Sequence, residues 1–539
     1  MKSLFIFLLL SIILHAHSLI PQPQYYESQT GTFTLKQNTH YYADNNLSTN
    51  AIVYLQEHLK VNATYTLKRE QTLRNNTLNF KYNRLLKKEA YRLHVKTDGV
   101  TIEASSSTGF FYAIVTLMQL MDSKIWRADS ANSPQSIWTI QNCYIKDAPR
   151  FAWRGMMLDT ARNFFSVSYV KKFIDRMAQH KLNIFHWHLS DDEGWRVEIK
   201  CYPLLTEVGG KRGPGTQLPF SLYPTHRGPK DKIQAGFYTQ EEIKEVVTYA
   251  LKRNIQVLPE IDIPAHAKAA VMAYPELLQD PKDKSLYTSV QKVQQNTMDP
   301  GLASTYQFLD DVIGELTTLF PFSYIHLGGD EVPKGAWQYS PAVHTLMRQK
   351  HLHNTKEVKA YFFSKMDLIL QKHHRKLIGW QEIQQHHPKL RKETMVMAWR
   401  NTVSTAKKAT KNGQNIIMAP ASHLYFDQQY YKAKGELGHT WAGPTNTKEV
   451  YSYTPLPKAL SRKETLYIKG VHGCLWSETA LNEPIADYLA WPRMLALAEI
   501  AWTQAKSQNY RSFQHRLREG GLLRLKQQHI AYRVPTKKF

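Results

Sequence analysis

From residue 150 onward, short apolar runs alternate with longer segments in which hydrophobic side chains recur every three or four positions, and this pattern predicts parallel βα units. Eight runs read as strands: 154–159 (RGMMLD), 182–189 (LNIFHWHL), 255–262 (IQVLPEID), 324–330 (YIHLGGD), 376–382 (KLIGWQE), 395–400 (MVMAWR), 415–420 (NIIMAP) and 470–478 (GVHGCLWSE). Eight such strands predict an α/β fold, a closed (β/α)8 TIM barrel. The intervening helices are legible too. SVSYVKKFIDRMAQHK opens on Ser166 and carries Val170, Phe173, Ile174 and Met177 on one face. TQEEIKEVVTYALKRN has Thr239 three positions before Glu242, the spacing of a capping box. PIADYLAWPRMLALAEIAW reads as the helix that closes the barrel, and 209–236 and 428–457 are too long for simple connections and read as rim loops.

Before residue 150 the pattern differs. GTFTLKQ and EAYRLHVKTDGVTIEAS alternate as strands do, and TGFFYAIVTLMQLMDS then reads as a helix, so residues 19–149 predict a small α+β domain. The first residues read as a secretory signal: one Lys, an apolar run from Leu4 to Leu14 broken only by Ser11, and Ala16-His17-Ser18 in the small-x-small form of a cleavage site. That run is too short to span a bilayer. The expected organisation is a signal at 1–18, an α+β domain at 19–149 and a barrel with C-terminal helices at 150–539, exported to the periplasm or the medium, with no integral membrane segment.

Charge and cysteine content narrow the classes. The 539 residues carry a net charge of +24, but the Lys and Arg are scattered and no nucleic-acid-binding signature accompanies them, so a solvated basic surface is the commoner reading and association with anionic surfaces or acidic polysaccharides the sharper one. Cys143, Cys201 and Cys474 are too few for a disulfide framework, are not spaced as zinc ligands, and allow at most one bridge.

In a barrel of this kind the chemistry sits at the carboxyl ends of the strands. There the chain places Asp159 and Arg162; His186, His188 and Asp191; Glu260, Asp262 and His266; Asp330 and Glu331; Trp380 and Glu382; Trp399; Tyr425 and Asp427; and Trp476 and Glu478. A single Trp is as often core as ligand contact, but Trp380, Trp399, Trp441 and Trp476 near one barrel face suit the apolar faces of sugars. His186 and His188 share one side of a strand; a metal pair is one reading, hydrogen-bonded interior histidines the commoner one. Asp191-Asp192-Glu193 lacks the glycine and spacing of a calcium loop, and ion pairing with Arg196 or Arg154 is expected instead.

RGMMLDTARNFF, KLNIFHWHLSDDEGWRVEIK, PEIDIPAH, HLGGDEV, GWQE, YFDQQY, TWAG and GCLWSE, in that order, resemble the motifs of family 20 glycoside hydrolases, the β-N-acetylhexosaminidases. The resemblance covers 150–502, and TIEASSSTGFFYAIVTLMQL resembles the end of that family's N-terminal domain. It implies a retaining exo-enzyme that removes terminal β-linked GlcNAc, with GalNAc as a second candidate, from N-acetylhexosamine-containing oligosaccharides, and needs no cofactor or metal. Most glycosidases use two separated carboxylates; this family is an exception in which the substrate's 2-acetamido group is the nucleophile. By resemblance Glu331 is the acid and base, Asp330 orients the acetamido group, and Tyr425 hydrogen-bonds its carbonyl. Trp380, Trp399 and Trp476 are expected to box the acetyl methyl, Trp441 to line the wall, and Arg154, Asp427 and Glu478 to hold sugar hydroxyls. Asp191, His266 and Glu260 are expected to support the acid. The proximity of Asp330 is expected to raise the pKa of Glu331. The alternatives are a disaccharide-releasing enzyme of the same barrel and a secreted sugar-binding protein without catalysis.

Overall fold

The computed structural model of the protein describes residues 18–63, 65–128, 137–218, 233–384 and 390–534, so the expected signal lies almost wholly outside the described residues. The chain forms two compact units, Met1–Ala148 with Arg511–Gln528, and Pro149–Tyr510 with His529–Phe539. No helix among the described residues is long and apolar enough to cross a membrane.

The first unit is built on a seven-stranded sheet whose longest members are the antiparallel strands Tyr25–Leu35 and Trp138–Asp147. The helix Ser107–Leu120 is apolar all round because it is covered on two sides. Phe110 meets Phe80 of the sheet and Phe111 meets Tyr54 of the helix Thr49–Ala63. One boundary differs from expectation: the C-terminal helices were assigned to the barrel, yet residues 511–528 belong to this first unit. The cause is specific hydrogen bonding, since the buried guanidinium of Arg516 donates to the Leu19 carbonyl (2.7 Å) and Arg524 donates to that of Ser18 (3.0 Å).

The second unit contains all eight expected strands: β1 (Trp153–Asp159), β2 (Ile184–Asp191), β3 (Gln256–Ile261), β4 (Tyr324–His326), β5 (Lys376–Trp380), β6 (Met395–Ala398), β7 (Asn415–Met418) and β8 (Ile468–Leu475). They pair in parallel in chain order, and β8 closes on β1 from Gly470 opposite Trp153 to Leu475 opposite Leu158. Both faces of these strands are covered, which is why they read as continuous apolar runs. Thr239 and Glu242 form the expected capping box on the helix Gln240–Lys252. The closing helix is split into Glu483–Ala490 and Arg493–Trp502, because Pro492 has no amide hydrogen to continue the first. Cys143 and Cys474 are buried and Cys201 is exposed, and all three are free thiols.

Candidate active site

The turn after β4 explains why two glycines precede two acids. At Gly328 the backbone has φ of 56°, and a Cβ there would lie 1.7 Å from Oδ1 of Asp262. At Gly329 φ is 100°, and a Cβ would lie 2.5 Å from Ile383 Cγ2. The backbone thus passes against β3 and β5 where no side chain fits, and Gly329 N–H donates to Asp262 Oδ1 at 3.2 Å. The next residues emerge at the mouth of the barrel. Glu331 (φ 45°) and His266 (φ 53°) both hold the left-handed conformation that non-glycine residues rarely adopt, at a cost of roughly 1–3 kcal/mol each.

A chain of contacts runs from these acids into the barrel. His266 Nε2 lies 3.7 Å from Oε2 of Glu331 and 3.7 Å from Oδ2 of Asp330, while its Nδ1 meets Asp191 Oδ1 at 3.1 Å. Asp191 Oδ2 then meets His188 Nε2 at 2.9 Å, and His188 Nδ1 meets Glu260. Glu260 does not touch the acid pair: it also meets His186 (2.9 Å) and His326 (2.7 Å) and accepts from the Trp380 indole (3.0 Å). His186 and His188 therefore converge on one carboxylate. By spacing, His186, Glu260 and His326 have donor atoms close enough for a cation, as do Asp191, Asp192 and His266, but in both groups the imidazole nitrogens and carboxylate oxygens already face one another at contact distance.

Beside Glu331 lies a pocket of about 250 Å³ lined by Arg162, His266, Gln291, Asp330, Glu331, Arg400, Asp427 and Glu478 with the rings of Trp399, Tyr425, Trp441 and Trp476. The Trp399 and Tyr425 rings are parallel within 6° at 6.2 Å, and Trp441 stands nearly perpendicular to both. Trp476 closes the set 6.1 Å from Tyr425, with Trp380 buried behind it at 5.8 Å. Oδ1 of Asp330 and Oδ1 of Asp427 are buried without a hydrogen-bond partner.

Arg154 is not in this pocket. It is the second residue of β1, five positions before Asp159 and so roughly 16 Å down the strand, where its guanidinium donates to the carbonyls of Lys181 (2.8 Å) and Phe151 (2.7 Å). The arginine in the site is Arg162, which pairs with Asp191 (2.7 Å), Glu193 (3.2 Å) and Asp159 (3.3 Å) and lies over Trp476. It also replaces the expected partners of the 191–193 acids, because Arg196 is spent on the carbonyls of Thr160, Ala161, Gly210 and Gly236.

The proton distribution follows from these neighbours. Burial pushes the Asp330 carboxyl up, and the adjacent Glu331 adds to that against the opposing pull of His266. Burial acts on Glu331 too, but His266, the Gln291 amide and Arg400 outweigh it and hold it below the ordinary value. This reverses the expected order of the pair. Burial opposes charge on His266, yet Asp191, Glu331 and Asp330 raise it well above the usual imidazole range, so it is a cation here. Two residues that sequence reasoning missed add to the hold of His266 on Glu331. Gln291 Nε2 donates to Glu331 Oε2 at 2.9 Å from a loop with no motif to mark it, and Arg400 Nη2 lies 3.8 Å from Oε1. Arg400 follows Trp399 directly, so its place just past a strand end was a usable signal.

Comparison with known proteins bears on the same residues. The family model for glycosyl hydrolase family 20, catalytic domain, matches residues 151–505, and that for domain 2 of the family matches 16–148. The chain is 37% identical over 488 residues to a beta-hexosaminidase of Vibrio furnissii, covering 89% of this chain and 76% of that one. It is 38% identical to a beta-hexosaminidase of Porphyromonas gingivalis, covering 84% of this chain but only 55% of that one. Among solved structures, the exo beta-N-acetylglucosaminidase of Vibrio harveyi in complex with N-acetylglucosamine superposes with a TM-score of 0.90 at 36% identity, over 97% of this chain and 79% of that one. The beta-N-acetylhexosaminidase of Streptomyces coelicolor gives 0.81 at 29%, over 97% and 98%.

Proposed function

Because the chain belongs to glycosyl hydrolase family 20, we propose that it is an exported, retaining exo-β-N-acetylhexosaminidase that removes terminal β-linked GlcNAc, with GalNAc as a second candidate, by substrate-assisted catalysis. The observation that carries this reading is Asp330 Oδ1, a buried acceptor without a partner, beside Glu331 and among Trp399, Tyr425 and Trp476. An acetamido N–H satisfies that acceptor, and the rings receive the methyl. Tyr425, whose hydroxyl burial pushes well above its usual pKa, stays a donor for the carbonyl oxygen.

In this scheme the acetamido carbonyl oxygen bonds to the anomeric carbon as the glycosidic bond breaks, and Glu331 gives its proton to the leaving oxygen. Asp330 stabilises the oxazolinium cation so formed. Water then attacks the anomeric carbon as its bond to the acetamido oxygen breaks and the acetamido group is restored, with Glu331 taking a proton from the water. Binding also favours the acid form. An N–H donated to Asp330 favours its ionised form, and an ionised Asp330 raises the pKa of Glu331, so the bound state favours a proton on the acid. Arg162, Asp427 and Glu478 hold hydroxyls, with Arg162 in the role that sequence resemblance gave to Arg154. At about 250 Å³ the pocket is below the roughly 300–1,000 Å³ typical of larger ligands, which favours one sugar over a disaccharide. Export rests on the N-terminal pattern of residues 1–18.

The test is hydrolysis of an aryl N-acetyl-β-glucosaminide beside the matching aryl β-glucoside. Cleavage of the first with almost none of the second is expected. Equal cleavage removes the substrate-assisted scheme, and cleavage of neither leaves a sugar-binding protein.

A further inference from the structure

Outside the pocket, and sharing Trp399, Arg400 and Trp441 with it, lies an open groove of about 750 Å³, three times the pocket's volume. Asn401, Thr402, Ser404 and Ser422 supply its polar surface, and Arg400 is the sole charged side chain lining it among the described residues. The Arg400 guanidinium carbon lies 4.0 Å from the centre of the Trp399 ring and 5.2 Å from that of Trp441, half-exposed, with Oε1 of Glu331 at 3.8 Å. Contact with two indoles that stand nearly perpendicular to each other holds the guanidinium at the junction of pocket and groove, where its N–H groups can meet an anion.

We propose that this groove is the leaving-group site and that Arg400 selects a leaving sugar that bears a carboxylate, an inference that rests on the glycosidase reading above. Glu331 stands at the boundary of pocket and groove, so the oxygen it protonates is the first atom of the leaving group. A substituent on that first sugar falls beside Arg400, which is also where the groove meets the acid. A uronic acid or an ether-linked acid there finds a half-exposed cation in a groove whose own lining carries no acidic side chain among the described residues, and it competes with Glu331 for that cation. The net charge of +24 adds long-range attraction for such a glycan. Occupation of Arg400 by that carboxylate also loosens its hold on Glu331, so the gain appears in kcat as well as in KM.

The experiment compares kcat/KM for GlcNAc β-linked to glucuronic acid with that for GlcNAc β-linked in the same way to glucose, using the aryl N-acetyl-β-glucosaminide as reference. The acidic disaccharide is expected to be favoured about tenfold at low salt, the scale of one charge-assisted hydrogen bond, and less at high salt. Arg400→Gln should bring the ratio to about one. Ser404→Glu, which sets a negative charge in the groove, should lower it in the same direction, and decides the matter if Arg400→Gln fails to fold. A wild-type ratio near one, or a preference that survives both substitutions, overturns the proposal. In that case the aryl substrate is still cleaved, whereas failure of the glycosidase reading shows as no cleavage of the aryl substrate at all.

Discussion

A carboxylate gives up no proton while an imidazolium, an amide and a guanidinium all stabilise its charge, and this is the situation of Glu331. Its activity therefore depends on Asp330, and Asp330→Asn should lower kcat on the aryl substrate by about 10²–10³-fold, the scale of losing a positioned charge in a buried site. A steady-state kcat within threefold of wild type would show that Asp330 has no such part. Asp427 tests burial more directly. Desolvation, with help from Glu478, lifts its carboxyl to about 7 against the opposing pull of His439. Unfolded chains release this proton near pH 4, so stability is lost as pH climbs from about 4 to about 7. Asp427→Asn should accordingly melt higher than wild type above pH 7, by at most about 4 kcal/mol, and alike near pH 4, while raising KM. Melting curves at the two pH values decide it. The order of the two carboxylates was only partly legible in the sequence, because Gln291 and Arg400, which add to the pull of His266 on Glu331, lie 40 and 69 positions from it and are brought there only by the fold. The two arginines flanking β1 illustrate the same limit: Arg154 sits inside the motif that reads as the strand, but the strand's direction sends Arg162 to the mouth of the barrel and Arg154 to its other end.

Single elements were far more legible. All eight barrel strands follow from apolar runs, since strands covered on both faces leave no polar alternation to confuse them. Ends were less sharp. The run expected at 324–330 pairs only over Tyr324–His326, because Gly328 and Gly329 turn the chain away from the sheet. Gly328→Ala sets a methyl onto Asp262 and an L side chain at positive φ, so activity should fall at least tenfold with a lowered melting temperature. An unchanged melting temperature would mean that the turn relaxes freely. The capping box is a gentler case: Thr239→Ala should cost about 1 kcal/mol in urea unfolding and leave KM unchanged.

At the scale of the molecule, composition indicated two units but not their membership. Nothing in the amphipathic pattern of residues 511–528 says which surface they cover, whereas Arg516 and Arg524 place them on carbonyls of Leu19 and Ser18. Removing residues 511–534 should raise amide hydrogen exchange in the strands Tyr25–Leu35 and Trp138–Asp147 while β1 to β8 keep their protection; equal loosening of both sets would contradict the assignment.

That discontinuity sets an order of events during synthesis. A ribosome emits the N-terminal part of a chain first, at roughly 5–20 residues per second. The seven-stranded sheet is thus made early, yet the last helices of its unit follow all eight strands of the barrel. The sheet must wait, incomplete, while the longer unit is made, and a chain threaded through a membrane from its N-terminus would carry the same delay across. The eight barrel strands are the first set of elements to have the rest of their unit, up to Tyr510, already made, although they are begun second.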